Sequence, residues 1–255
     1  MPPPAWDDAS IVVAVMAEVS KQGLLLAGPP EPSLVEEYIE IPLRDGHLSR
    51  TKIYRPAEHP AEGSPLIVYI YGGGWISGDC NQSTPMCREW VRLFGAVVVS
   101  VSYRLAPQHK WPTPWNDAWD SVAWIAERAS ELGEDPGRGF VVGDVSAGGS
   151  LSAFITAQSQ TDKLAYPITG QWLSIPSLID VNAVPEKYRA YHLSMVDNKD
   201  DPVLPASAIA SLTRHVDWDS TSPMRYPSLH PPETLPNCRV PTCKPPGRIL
   251  SATMR

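Results

Sequence analysis

Ser146 stands in the run Gly143-Asp144-Val145-Ser146-Ala147-Gly148-Gly149. A short apolar run precedes it at 139–143, and a small-residue helix start follows. A strand-turn-helix elbow of this kind lifts a serine Oγ out of a sheet and leaves the next backbone N–H free for an oxyanion. The turn is tight, so small residues are needed two before and two after the serine. Gly148 satisfies the second requirement; Asp144 occupies the first, and Gly143 lies one residue too early. On its own the run also fits an ordinary small residue in a strand-helix loop. A second glycine-rich segment, Tyr71-Gly72-Gly73-Gly74-Trp75, follows another apolar run at 65–70. Three glycines let backbone N–H groups approach a ligand closely. The segment lacks the glycine and lysine spacing of a phosphate loop. Two such motifs, each behind its own buried strand, point to acyl-transfer chemistry. Ser146 is then the nucleophile, with Gly73, Gly74 and Ala147 as oxyanion donors.

The elements that must position these residues are legible in the hydrophobic pattern. Residues 35–42 and 48–55 alternate apolar and polar around Asp45-Gly46, which predicts a hairpin. The runs 65–70, 96–102, 139–143 and 168–175 predict strands, the first three buried on both faces. Helices are predicted over 8–22 (with Gly23 near the end), 85–94, 115–132, 147–160 and 206–216. Alternating strands and helices predict an α/β fold. Its central sheet is mixed but mostly parallel, flanked by helices. Both glycine motifs then lie at the carboxyl ends of strands, where open α/β sheets bind ligands. Arg104, after a strand, and Asp117, at a helix start, are expected to form a buried scaffold pair.

Composition narrows the function classes. The 255 residues are 43% hydrophobic with a net charge of −7. This supports a core and argues against a nucleic-acid partner, which needs basic patches. Cys80, Cys87, Cys238 and Cys243 lack zinc-knuckle spacing and read as free thiols, so no metal is expected. The amino terminus carries no basic-plus-apolar leader, and apolar stretches fall short of the ~20 residues a membrane span needs. A cytoplasmic protein without a membrane span is the expectation. The 28 prolines cluster in part from Ser222 onward. That composition predicts irregular chain.

Tyr71-Gly72-Gly73-Gly74-Trp75, Ser102-Tyr103-Arg104-Leu105-Ala106-Pro107, Pro114-Trp115-Asn116-Asp117 and Ser146-Ala147-Gly148-Gly149 together resemble the hormone-sensitive-lipase-like branch of the α/β-hydrolase fold. That branch includes fungal esterases and arylacetamide-deacetylase-like enzymes. The resemblance spans about residues 35–236. It implies a serine carboxylic-ester hydrolase for small or medium esters, an ester of secondary metabolism among them, with no cofactor. Tyr71 replaces the family's loop histidine. The resemblance also implies a carboxylate and a histidine after the serine, in Asp-Pro-Leu-Arg-Asp-like and His-Gly-Phe-like segments. Neither segment is present, so the triad acid and base are unknown. His192, His215 and His230 follow Ser146, and His215 lies two residues before Asp217. Residues 1–236 thus read as an incomplete α/β-hydrolase domain lacking its last strands and helices. Residues 1–34 form an amino-terminal cap-helix region, 177–218 a lid, and 237–255 an irregular tail. A shifted reading frame would produce such an ending. The alternative function is an impaired remnant, at most a small-ligand binder. Oligomeric state is not legible.

Overall fold

Apolar runs at the centre of the sequence pair in the centre of a sheet. The computed structural model describes residues 9–58, 60–201 and 204–229. Cys238, Cys243, His230 and the 237–255 segment lie outside the described residues. The strands are β1 (Leu34–Pro42), β2 (Leu48–Pro56), β3 (Leu66–Ile70), β4 (Val97–Val101), β5 (Phe140–Val145) and β6 (Gly170–Ser174). Their order across the sheet is β1-β2-β4-β3-β5-β6. β1 and β2 form an antiparallel hairpin with Leu34 opposite Pro56 and Pro42 opposite Leu48. The turn closes through Leu43 N–H to the His47 carbonyl at 2.9 Å, and Gly46 supplies the positive φ of 86°. β2 runs antiparallel to β4, and the remaining pairs are parallel. The sheet is therefore mixed and mostly parallel, as its apolar pattern predicts.

Parallel neighbours need crossovers, and helices supply them. α1 (Ala9–Ala27) leads the chain. α2 (Thr84–Phe94) links β3 to β4, α3 (Thr113–Glu127) links β4 to β5, and α4 (Ser146–Gln158) links β5 to β6. Short helices α5 (Glu186–Arg189) and α6 (Ser194–Asp197) follow, then α7 (Ala206–Val216). All five β4 residues are buried, in keeping with a strand that is apolar but for Ser100. α4 is buried nearly all round, and its small residues permit that close packing.

Two boundaries differ from expectation. α1 continues through Gly23 to Ala27, because the left-handed break falls at Gly28 (φ 64°). α3 stops at Glu127, and the chain turns through Gly133 (φ 83°) before β5. Arg104 and Asp117 form the expected pair. Arg104 donates its backbone N–H (2.9 Å), Nε (2.9 Å) and Nη2 (2.7 Å) to the buried Asp117 carboxylate. This ties the end of β4 to the first turns of α3. Cys80 and Cys87 are free and buried. Among the described residues, no helix is long and apolar enough to cross a membrane.

Candidate active site

Ser146 is the junction between β5 and α4, with φ at 56°. A side-chain-bearing residue rarely holds this left-handed conformation, because Cβ crowds the backbone. It persists here because both flanking elements are fixed in the core. The elbow's closest approach falls at Gly148. A Cβ there would sit 1.6 Å from the Ile70 carbonyl oxygen, at the end of β3. Gly143 serves a different contact: its Cβ would meet the Trp172 carbonyl oxygen at 2.3 Å, across the β5–β6 pair.

Asp144 is accommodated by turning its side chain inward, where it is fully buried. One carboxyl oxygen accepts from the Val145 N–H, while the other has no hydrogen-bond partner among the described residues. Burial pushes its pKa well up, against the opposing pull of Tyr69 and the Val145 N–H. Burial therefore favours its uncharged form. Asp144 thus occupies core space beside β3, and the elbow does not need glycine at that position.

The glycine loop lies directly against this elbow. A Cβ on Gly72 would come within 2.7 Å of the Val145 carbonyl oxygen and 3.3 Å of Ser146 Cβ. Gly73 (φ 142°) and Gly74 (φ 62°) both need conformations that disfavour side chains. A Cβ on Gly73 would overlap the Ser77 carbonyl oxygen at 2.1 Å, and one on Gly74 would meet Leu212 Cδ2 at 2.6 Å. The Gly73 carbonyl accepts from Ile76 N–H (3.2 Å), Ser77 N–H (3.1 Å) and Ser77 Oγ (2.9 Å). The N–H groups of Gly73, Gly74 and Ala147 make no hydrogen bond with any described residue. Tyr71, at the loop entrance, is part of the scaffold. Its hydroxyl donates to the Tyr103 carbonyl (3.1 Å), the Tyr103 hydroxyl donates to the Tyr71 carbonyl (2.9 Å), and the rings stack at 4.4 Å.

Ser146 Oγ makes no hydrogen bond with any described residue. His192 Nδ1 and His215 Nε2 are buried atoms without a hydrogen-bond partner among the described residues. Asp217 pairs with Lys110 at 3.1 Å, and no hydrogen bond joins it to His215 among the described residues. The sequence gives no spacing signal for Arg225, which is 1% exposed inside an aromatic box. Its guanidinium carbon lies 4.6 Å from the Trp75 ring, 4.4 Å from Trp218 and 4.1 Å from Tyr226. It donates to the Ser177 carbonyl (3.0 Å) and hydroxyl (3.1 Å). Ser150 Oγ donates to the same Ser177 carbonyl at 3.1 Å. The box thus ties the residue after the glycine loop to helix α4. Trp75 and Trp115 stack at 5.1 Å within the core, so these tryptophans act in packing.

A parallel-centred sheet, a serine at a strand-to-helix elbow and a glycine loop pressed against it define a hydrolase-type scaffold. Residues 67–244 match the family described as alpha/beta hydrolase fold, and the chain belongs to that family. It is 39% identical to Esterase LipI of Mycobacterium tuberculosis over 165 residues, 64% of this chain and 48% of that protein. It is 33% identical to Ethyl acetate hydrolase of Pseudomonas putida, over 63% of this chain and 54% of that one. The solved esterase of Pyrobaculum calidifontis superposes with a TM-score of 0.71 at 32% identity, covering 85% of this chain and 69% of that chain. The chain thus spans about half the length of the two named relatives.

Proposed function

We propose that this chain acts in carboxylic-ester hydrolysis, with Ser146 as nucleophile and the N–H groups of Gly73, Gly74 and Ala147 as oxyanion donors. The observation that carries this reading is Ser146 held at φ 56° with the glycine loop packed on its Cβ. In the proposed reaction Ser146 Oγ attacks the ester carbonyl and loses its proton to a base. Negative charge then develops on the carbonyl oxygen, where free backbone donors stabilise it. The alcohol leaves, and water hydrolyses the acyl-serine. The base and its orienting carboxylate stay unassigned.

Esters of short acids are the substrate class we favour, a choice supported by the acetate ester in one relative's name. The narrower reading, an ester of secondary metabolism, rests on the resemblance to fungal esterases alone. We take residues 177–218 as a lid, because Leu212 of α7 packs on Gly74, and residues 1–34 as a cap region. The alternative of an inactive remnant finds no support: both relatives carry esterase or hydrolase names.

The test is hydrolysis of p-nitrophenyl acetate by the wild type and Ser146→Ala. The expected result is loss of at least about a hundredfold in the variant. A fluorophosphonate probe should label the wild type alone. Equal rates in both proteins would refute the assignment.

A further inference from the structure

The loop's carbonyls are held as specifically as its N–H groups are free. In a trans peptide the C=O and N–H of one unit point in opposite directions. The direction of the Gly73 N–H is therefore set by whatever holds the Gly72 carbonyl. The direction of the Gly74 N–H is set by whatever holds the Gly73 carbonyl. Local backbone and Ser77 hold the second. The first is held by one side chain: Gln82 Nε2 donates to the Gly72 carbonyl at 3.0 Å.

Gln82 is itself fixed. Its backbone N–H donates to the Asp79 carbonyl (3.1 Å), inside a turn where Asn81 N–H meets Asp79 Oδ1 (2.6 Å) and Thr84 N–H meets the Asn81 carbonyl (3.0 Å). Only the amide nitrogen can face a carbonyl, so the amide orientation is determined. The other amide atom, Oε1, is buried with no partner among the described residues. A Cβ on Gly78 would stand 2.5 Å from that oxygen, so Gly78 makes room for the amide. Leaving a buried acceptor unsatisfied is costly. The amide is nonetheless placed where its N–H reaches the loop.

We infer that Gln82 is a positioning residue for the ester-hydrolysing site: through the Gly72 carbonyl it aims the Gly73 N–H at the oxyanion. This rests on the proposed function above. Without the Gln82 bond the 72–73 peptide is free to rotate between glycines, which impose little torsional restraint. A misdirected donor weakens charge stabilisation in the transition state more than it weakens ground-state binding.

The experiment compares wild type, Gln82→Met, Gln82→Leu and Ser146→Ala with p-nitrophenyl acetate and a fluorophosphonate probe. Met keeps the side-chain length but removes the donor; Leu removes the donor from a shorter apolar side chain. Both should lower kcat by roughly tenfold to a hundredfold with KM within about twofold. Phosphonylation of Ser146 should slow in parallel, and the thermal midpoint should stay within a few degrees. Wild-type kcat in both variants would overturn the inference. So would KM rising alongside a large drop in the midpoint, which marks a packing role. Equal wild-type and Ser146→Ala rates would refute the hydrolase reading and this inference with it, and only that outcome involves the Ser146 control.

Discussion

A serine with φ at 56° is strained at about 1–2 kcal/mol. At the elbow Gly148 removes the further clash that a side chain would make with Ile70. Replacing Ser146 by glycine should relieve the strain. We expect Ser146→Gly to raise unfolding free energy by about 0.5–1.5 kcal/mol in urea titrations while abolishing ester hydrolysis. Ser146→Ala should show the loss of activity without that gain, since alanine keeps the Cβ. A Ser146→Gly variant less stable than Ser146→Ala would show that the elbow stores no strain. Asp144 carries a lesson at the same scale. Sequence rules ask for a small residue there, but the side chain turns into the core, where burial raises its pKa.

Between elements, one buried carboxylate joins four pieces of structure. Glu36 of β1 accepts from Lys52 of β2 at 2.8 Å and from Arg88 of α2 at 2.5 Å. Arg88 also donates to the carbonyls of Ala27 (2.6 Å) and Gly28 (3.0 Å), at the carboxyl end of α1. Burial raises the Glu36 pKa, yet the bonds from Arg88 and Lys52 outweigh it and hold the pKa below the usual value. Its contribution is therefore present above the ordinary carboxylate range and is lost as pH falls through the depressed value. Glu36→Gln leaves two buried cations without their counter-charge. It should cost about 3–5 kcal/mol in denaturant unfolding at neutral pH. A change below about 1 kcal/mol would mean that water already screens this cluster.

At the scale of the whole molecule, stability should depend on pH through buried carboxyl groups. Glu134, between α3 and β5, is 6% exposed, and neither carboxyl oxygen has a partner among the described residues. Burial pushes its pKa up to about 9. The native state then keeps a proton that the unfolded chain releases above about pH 4. Stability therefore falls as pH rises from the ordinary carboxylate range toward about 9. Buried Asp144 acts in the same direction. Wild-type protein should lose urea midpoint between about pH 6 and about pH 8.5, and Glu134→Gln should flatten that slope. Parallel slopes in the two proteins would show that Glu134 is ionised in the native state.

How much of this was legible follows the range of each interaction. Strand positions, the hairpin turn at Asp45-Gly46 and the glycine loop depend on local periodicity and local torsions. The sequence alone therefore determined the mixed, mostly parallel sheet and the succession of strands and helices along the chain. It also marked Ser146 by its place between an apolar run and Gly148. Helix ends were less legible, because Gly23 and Gly28 look alike in sequence. Only Gly28 takes the left-handed turn. Tertiary structure alone decided the rest. It placed Gly72 against Ser146 and set Tyr71 and Tyr103 in reciprocal bonds. It turned Asp144 inward, closed the aromatic box on Arg225, and laid Gln82 on a carbonyl ten residues back in the chain. Each of these joins residues through side-chain packing or hydrogen bonds across separate elements. No period or spacing in the sequence encodes such a contact, because it exists only once the sheet has brought the loops to one edge.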